Sequence, residues 1–309
     1  MEERFYSFNR YLREKFGQRV HRISLDAGFG CPNINGDLNS KGCIFCNNRA
    51  FSYFSNLPHL SLEEQIIRAK DYARERFKAN KYIAYFQSNS STYGDIKSLR
   101  KQYDTIRKFN DFVGIAISTR PDCIDEQKLD LIEEFTKDYA VYIEYGLQTV
   151  HDRTLKIINR NHTFSDFQKA VELTASRSNI NIGVHVILGL PGETKEDMLI
   201  TAKALAKMPL WGIKFHILHV VKDTVLARMY TEGEVELLSL EKYVDILISF
   251  LELLPKNQVI LRLVSDAHRD FLIAPFWVND KGKALKRIED EFNKRQTYQG
   301  ALLKSPPIS

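Results

Sequence analysis

The sequence is poor in cysteine, with four residues in 309. That is too few for the disulfide framework of a small secreted domain. No apolar run approaches the ~20 residues that span a bilayer. The nearest, VDILISFLELL (244–254), is broken by Asp245 and Glu252 and reads as an amphipathic helix. The opening residues, MEERFYSFNRYLREKFGQRV, mix charge with aromatics and lack the apolar centre of an export signal. No strand runs into a GxGxxG turn, so a Rossmann dinucleotide fold has little support. There is no low-complexity linker, no RNP motif and no zinc knuckle. These absences leave a cytoplasmic protein with no membrane partner, whose thiols stay reduced and can serve as ligands.

The composition, 44% hydrophobic and 27% charged, suits one large α/β domain or two small ones. A net charge of +5 permits a nucleic-acid partner without requiring one. Short β-rich runs alternate with amphipathic stretches. HRISLDA (21–27), KYIAYFQ (81–87), DFVGIAIS (111–118), AVYIEYGLQ (140–148), NINIGVHVIL (179–188) and WGIKFHIL (211–218) read as strands. Helical patterns fill the gaps, several with a capping signal at their start, such as Ser61 with Glu64 or Thr194 with Asp197. A βα unit repeated about six times argues a parallel sheet with helices outside, a full or partial α/β barrel. In such barrels chemistry sits at the C-terminal ends of the strands. After 236 the pattern changes to a helix, the run QVILRLVSDAHRDFLIAPFW and a charged helix near 281–296.

Three of the four cysteines crowd into one loop after the first strand, FGCPNINGDLNSKGCIFCNN (29–48), with the spacing Cys31-x11-Cys43-x2-Cys46. Structural zinc wants four protein ligands, and no second CxxC or histidine pair lies nearby; His21 and His59 lack ligand spacing. Three thiolates without a fourth suit a 4Fe–4S cluster with one open iron. Zinc and ordinary reduced thiols remain the other readings. The isolated Cys123 reads as a small buried residue, with a catalytic role as the minority reading.

Other strand ends carry candidate polar contacts. Phe45 precedes the third cysteine and can pack against a flat heterocycle or simply fill the core. Gln87, Ser88 and Asn89 follow the second strand, and Ser118, Thr119 and Arg120 close the third. Glu144 falls inside an apolar strand, where a carboxylate needs a cationic partner or a ligand. Gln148 ends that strand, and Arg160 lies twelve residues on, able to grip a carboxylate. The stretch HVILGLPGET runs a strand into Gly189, Pro191 and Gly192, where backbone can approach a ligand closely. His185 on that strand reads as a buried polar residue.

Together the cysteines, Phe45 before the third of them and the glycine-rich end of the fifth strand resemble the radical S-adenosylmethionine (SAM) superfamily. The common spacing there is Cys-x3-Cys-x2-Cys. The longer gap here, with CPNINGD, CIFCN, YGLQTVHDRTLKIINRNHT, LGLPGET, KFHILHVV and LIAPFW, resembles its YtqA/YhcC-like branch, near the radical SAM domain of the elongator catalytic subunit. The resemblance spans roughly residues 5 to 300 and lacks that subunit's acetyltransferase domain. It implies a partial (β/α)6 TIM-like barrel with a C-terminal extension: an N-terminal helical segment (1–20), the barrel (21–235) and an α/β extension (236–309). It implies that Cys31, Cys43 and Cys46 ligate a 4Fe–4S cluster whose open iron chelates SAM. One electron would cleave SAM to methionine and a 5′-deoxyadenosyl radical that abstracts hydrogen from the substrate.

By the same resemblance Phe45 packs near adenine. Gln87 and Ser88 stand where the family's amino-group motif lies, although QSN departs from the common Gly-Gly-Glu. Gln148 and Arg160 match positions that reach polar groups of SAM, and Ser118, Glu144 and His185 are weaker transfers around ribose and carboxylate. No catalytic residue of the chain's own emerges. A low-potential electron donor such as flavodoxin or ferredoxin is implied. The substrate reading is tRNA at a wobble uridine, with phosphate contacts expected from the basic stretch Arg4 to Arg22 and the helix Lys281 to Arg295. A solvated charged face is the plainer account of both. A small metabolite or protein substrate, or a noncatalytic iron–sulfur protein, are the alternatives.

Overall fold

The computed structural model describes residues 3–35 and 42–303. In chain order the strands are β1 (Val20–Leu25), β2 (Lys81–Phe86), β3 (Phe112–Thr119), β4 (Ala140–Gln148), β5 (Ile180–Leu188), β6 (Gly212–Ile217), β7 (Val220–Val221), β8 (Val259–Arg262) and β9 (Leu272–Ala274). The helices are α1 (Phe8–Phe16), α2 (Pro32–Asn35), α3 (Asn48–Phe51), α4 (Leu62–Phe77), α5 (Ile96–Tyr103), α6 (Glu126–Glu134), α7 (Asp152–Ile157), α8 (Phe164–Ala175), α9 (Lys195–Leu205), α10 (Val225–Thr231), α11 (Leu240–Leu251) and α12 (Lys281–Arg295). Seven strands form one parallel sheet in the order β1-β2-β3-β4-β5-β6-β8. This is the half-barrel expected from six βα units, with a seventh strand supplied by the C-terminal segment. β7 and β9 pair antiparallel and tie that segment to the end of β6.

Period-two alternation explains the curvature and the core. On β4, Val141, Ile143, Tyr145 and Leu147 point outward into the main core beneath the helices. Ile182, Val184, Val186 and Leu188 do so on β5, and Ile213, Phe215 and Ile217 on β6. The opposite set faces the lumen. The helices start where their caps dictate: Ser61 with Glu64 and Thr194 with Asp197 both form reciprocal capping boxes.

The N-terminal end of the lumen is plugged. Leu12 of α1 shares a core with Val20, Ile83, Tyr85, Ala116 and Tyr142. Tyr11 stacks edge-on against Trp211 (4.9 Å between centroids), Trp211 lies 4.8 Å from Tyr142, and the Tyr11 and Tyr142 hydroxyls are 3.2 Å apart. Ahead of α1, the Ile260 amide donates to Tyr6 O at 2.8 Å, which covers part of the open edge of β8. Among the described residues no helix is long and apolar enough to cross a membrane.

Candidate cofactor site at the C-terminal ends of the strands

The cysteine loop lies at the opposite end from α1. The Cys46 amide donates to Cys43 O at 3.0 Å, closing the CxxC turn. Gly42 donates to Asn33 O at 2.8 Å, and Asn159 Nδ2 donates to Gly42 O at 2.7 Å. Ile44 is held on both sides, its amide on Ile158 O and its carbonyl under the Leu226 amide. Residues 36–41, the middle of the long gap and part of CPNINGD, lie outside the described residues.

None of the four cysteines is in a disulfide. Cys31 and Cys43 are buried and Cys46 is half-buried. Burial, followed by the nearby Cys43 and Cys31, pushes the Cys46 thiol up to about 12. A thiol placed as Cys46 is, beside two others, is stable as a thiolate only beside cationic metal. Among the described residues no three His, Cys, Asp or Glu side chains could hold a single metal ion. A four-iron cluster places each thiolate on a different iron, so its ligands surround a volume instead of meeting at a point. Three thiols at the strand ends fit such a cluster with one iron left open. Two donors already reach Cys43 Sγ, Asn33 Nδ2 at 3.4 Å and Arg160 Nη1 at 3.5 Å.

Arg160 is buried by close approach to β4. Its Nη2 donates to Gly146 O at 2.6 Å. A Cβ on Gly146 would meet that Nη2 at 2.6 Å and Gln148 Nε2 at 2.9 Å, so this glycine is required for the approach. A bulge between Gly146 and Gln148 puts Gln148 at φ +82° and aims it at the strand end. Arg160 Nε is buried without a partner. Beside it, both ring nitrogens of buried His162 and Nη1 of Arg120 are also unpartnered. Burial, then Arg160 and Arg120, push His162 down to about 2, so its ring is neutral. Arg120 otherwise forks onto Asp122 at 2.9 and 2.7 Å.

Of the other sequence candidates, Ser88 is buried with its Oγ 3.1 Å from Ser52 Oγ, and Gln87 is half-buried at the end of β2. Asn89 bonds Phe29 O at 2.7 Å and accepts from Asn48, linking this segment to both sides of the cysteine loop. Phe45 packs against the small core of Ile44, Leu155, Ile158 and Leu218. Cys123 is buried, its thiol pushed up to about 11 by burial.

Glu144, Ser118 and His185 lie deeper. Glu144 accepts from Arg22 Nη1 (2.5 Å), Tyr85 OH (2.8 Å), His185 Nε2 (2.7 Å) and Lys214 Nζ (3.1 Å). Burial alone would raise its pKa, but Lys214, Arg22 and His185 outweigh burial and hold it well below the usual carboxylate range. Burial, then Lys214, lowers His185 to about 4. Its ring is therefore neutral and donates to the carboxylate. Tyr85 and Lys214 are not among the sequence candidates. Arg22 is a correction: it was expected as a phosphate contact, yet the strand's alternation turns it inward onto Glu144.

The rest of that basic stretch is also misplaced for a ligand at the thiols. Arg13 and Lys15 are exposed on α1, at the plugged end. On α12, Lys286, Arg287, Lys294 and Arg295 are engaged with Glu289, Asp290, Glu291 and Asp245. The α12 face is a solvated ion-pair network.

The Radical SAM superfamily profile matches residues 36–205, and the Radical_SAM C-terminal domain profile matches 210–294. The chain is 36% identical over 299 residues to the uncharacterized protein YtqA of Bacillus subtilis, covering 97% of this chain and 92% of that one. It is 28% identical over 147 residues to the tRNA uridine(34) acetyltransferase of Methanocaldococcus jannaschii, covering 47% of this chain and 26% of that one. Among solved structures, an N-terminally truncated archaeal Elp3 from Methanocaldococcus infernus superposes with a TM-score of 0.64 at 18% identity, covering 91% of this chain and 64% of that chain.

Proposed function

Because the chain belongs to the radical SAM superfamily, enzymes that carry a 4Fe–4S cluster and S-adenosylmethionine, we propose that it modifies the side chain of a tRNA wobble uridine. When bound, cluster and SAM together supply one-electron cleavage to a 5′-deoxyadenosyl radical for hydrogen abstraction. Cys31, Cys43 and Cys46 would hold the cluster. Arg160 and Gln148, next to Cys43, would orient the polar end of SAM, with Phe45, Gln87, Ser88 and Ser118 lining the approach. Glu144 and His185 act at longer range by fixing the lumen wall. A flavodoxin or ferredoxin would deliver the electron.

The tRNA reading rests on one observation, the partial similarity to an enzyme named for tRNA uridine 34. An anticodon base is single-stranded and can enter the mouth without melting a duplex. Its flanking phosphates would meet the rim cations Arg49, Lys222 and Arg269, which are exposed around the cysteine loop. Asn47 Nδ2 bonds Lys222 O at 2.9 Å, and Arg49 lies 5.5 Å over the Phe271 ring. The test compares modified nucleosides in tRNA from cells with and without the protein, in an organism with no redundant enzyme. Loss of one wobble-uridine nucleoside is expected. An unchanged profile removes the tRNA reading and promotes a small-metabolite or protein substrate.

A further inference from the structure

Inside the barrel the charges do not balance. Three basic side chains face the lumen from β1, β6 and β8: Arg22, Lys214, whose pKa burial draws well below its ordinary value against the pull of Glu144, and Arg262. Glu144 is their counter-charge, and both of its oxygens are taken, Oε1 by Arg22 and Oε2 by Tyr85, His185 and Lys214. Among the described residues Arg262 has no carboxylate within ion-pair distance. Its Nη2 lies 2.7 Å from His216 Nδ1, and its Nε is buried without any partner. Exposed Asp266 attracts it only from a distance. Arg262 is half-buried with its Nε enclosed, and a charge so placed without a counter-ion is costly.

A second observation points the same way. His219, just past β6, has Nδ1 3.0 Å from Ile217 O. A carbonyl only accepts, so Nδ1 carries the hydrogen and Nε2 is a bare acceptor. That Nε2 is also buried and unpartnered. Burial, with Arg262 contributing, pushes His219 down to about 4, which keeps the ring neutral. The His219 ring meets Phe51 of α3 edge-on at 5.3 Å, so this corner opens on the same mouth as the thiols. Arg262 ends β8 and His216 is the penultimate residue of β6, at the strand ends where barrels bind ligands.

We propose that Arg262, held by His216, binds an anionic group of the substrate, a carboxylate or a phosphate, with His219 Nε2 accepting from a neighbouring O–H or N–H. His216 is a positioning residue: kept neutral by burial and the surrounding cations, it accepts from Nη2 and leaves the rest of the guanidinium for the ligand. The inference deepens the enzyme reading above and does not depend on the substrate being tRNA. The site is separate from Arg160, which serves the β4 side of the mouth.

The cluster-reconstituted full chain is heated in acetate or inorganic phosphate, with ionic strength held constant by chloride. At least one anion should raise Tm with concentration, as selective binding to the folded state requires; which anion does so separates a carboxylate from a phosphate. Arg262→Gln should abolish the rise and Arg262→Lys should keep part of it. Should Arg262→Gln fail to fold, His216→Phe is read instead, with a several-fold weaker apparent affinity expected. No rise in the wild type, or an equal rise in Arg262→Gln, overturns the proposal. So does loss of the phosphate and acetate effects on saturation with SAM, which would assign Arg262 to the cofactor. No turnover and no RNA enter the assay, so its failure is distinct from failure of the tRNA reading.

Discussion

The two ends of the lumen are built from the same strands and treat polar atoms differently. At the N-terminal end, α1, Tyr142 and Trp211 close the barrel with rings, and the Tyr11 and Tyr142 hydroxyls satisfy each other. Trp211 Nε1 and Gln258 Oε1 are the buried orphans there. At the C-terminal end Arg120, Arg160, His162, His219 and Arg262 all carry buried nitrogens without partners. An unmade buried hydrogen bond costs roughly 1–3 kcal/mol. Tolerating a ring of them on one rim, and few at the plug, marks the rim as the place that expects ligands. Between the two lies Glu144, fully satisfied, which separates the structural floor from the reactive mouth.

The comparison breaks most completely at the thiols. Cys31→Ala, Cys43→Ala or Cys46→Ala should each take the reconstituted protein from about four irons per chain to near none, read by iron and sulfide assay. Cys123→Ala should leave the iron content unchanged. Cluster loss in Cys123→Ala would mean that the rim is wrongly drawn.

Glu144→Gln attacks the layer between the ends. It strands Arg22 and Lys214 without a carboxylate, and a loss of roughly 3–5 kcal/mol in unfolding free energy is expected, measured by denaturant titration. The sign with pH follows from the lowered pKa. The carboxylate's contribution is complete above the ordinary range near ~4.3 and is lost as pH falls through the depressed folded value. Wild type should therefore lose stability on acidification with a component absent from Glu144→Gln.

Gly146→Ala sharpens the contrast within the rim. The added methyl displaces Arg160, so the variant should resemble Arg160→Ala: cluster retained, SAM affinity lower by roughly 10- to 100-fold, the ~1.5–3 kcal/mol of a charged hydrogen bond. Equilibrium binding of SAM to the oxidised, clustered protein reads this directly. Normal affinity in both variants would remove Arg160 from the cofactor site.

The smallest effects separate the two surfaces. Reversing Arg49, Lys222 or Arg269 should weaken tRNA binding and lower the slope of log affinity against log salt by about 1 for each charge. Reversing Arg13, Lys15 and Arg19 at the plugged end should leave the slope unaltered. The opposite pattern would put the RNA on the wrong end of the barrel for this reading.

Much of the architecture was legible because strand alternation is local. The run AVYIEYGLQ coincides with β4 residue for residue, and the capping signals at Ser61 and Thr194 mark true helix starts. The thiol loop was legible for the same reason, being contiguous. The lumen was not. Glu144 was flagged as needing a partner, but its donors lie 122, 59, 41 and 70 residues away, and only closure of the sheet makes them neighbours. Lys214 in WGIKFHIL and Arg22 in HRISL stand in the inward phase of their strands. Setting each strand's phase against Glu144 would have drawn them inside. Gly146 and His162 had no local signal, since their roles follow from the path of Arg160 over β4. The misread basic stretch shows the reverse error: counting positive residues along a segment says nothing about which end of a barrel they occupy.

The pairing of residues 4–7 also makes the floor of the barrel a long-range closure. Tyr6 bonds Ile260 and the side chain of Gln299, and Gln299 donates its amide to Arg4 O at 2.9 Å. Residues 4–7 thus take their partners from Ile260 and Gln299, far along the chain, and the floor of the barrel seals only when these distant segments meet. The cysteine loop likewise draws on both halves of the chain, with Ile158 and Asn159 on one side of it and Lys222 and Leu226 on the other. Both ends of the lumen are therefore non-local closures, each of which forms only when distant strands have met.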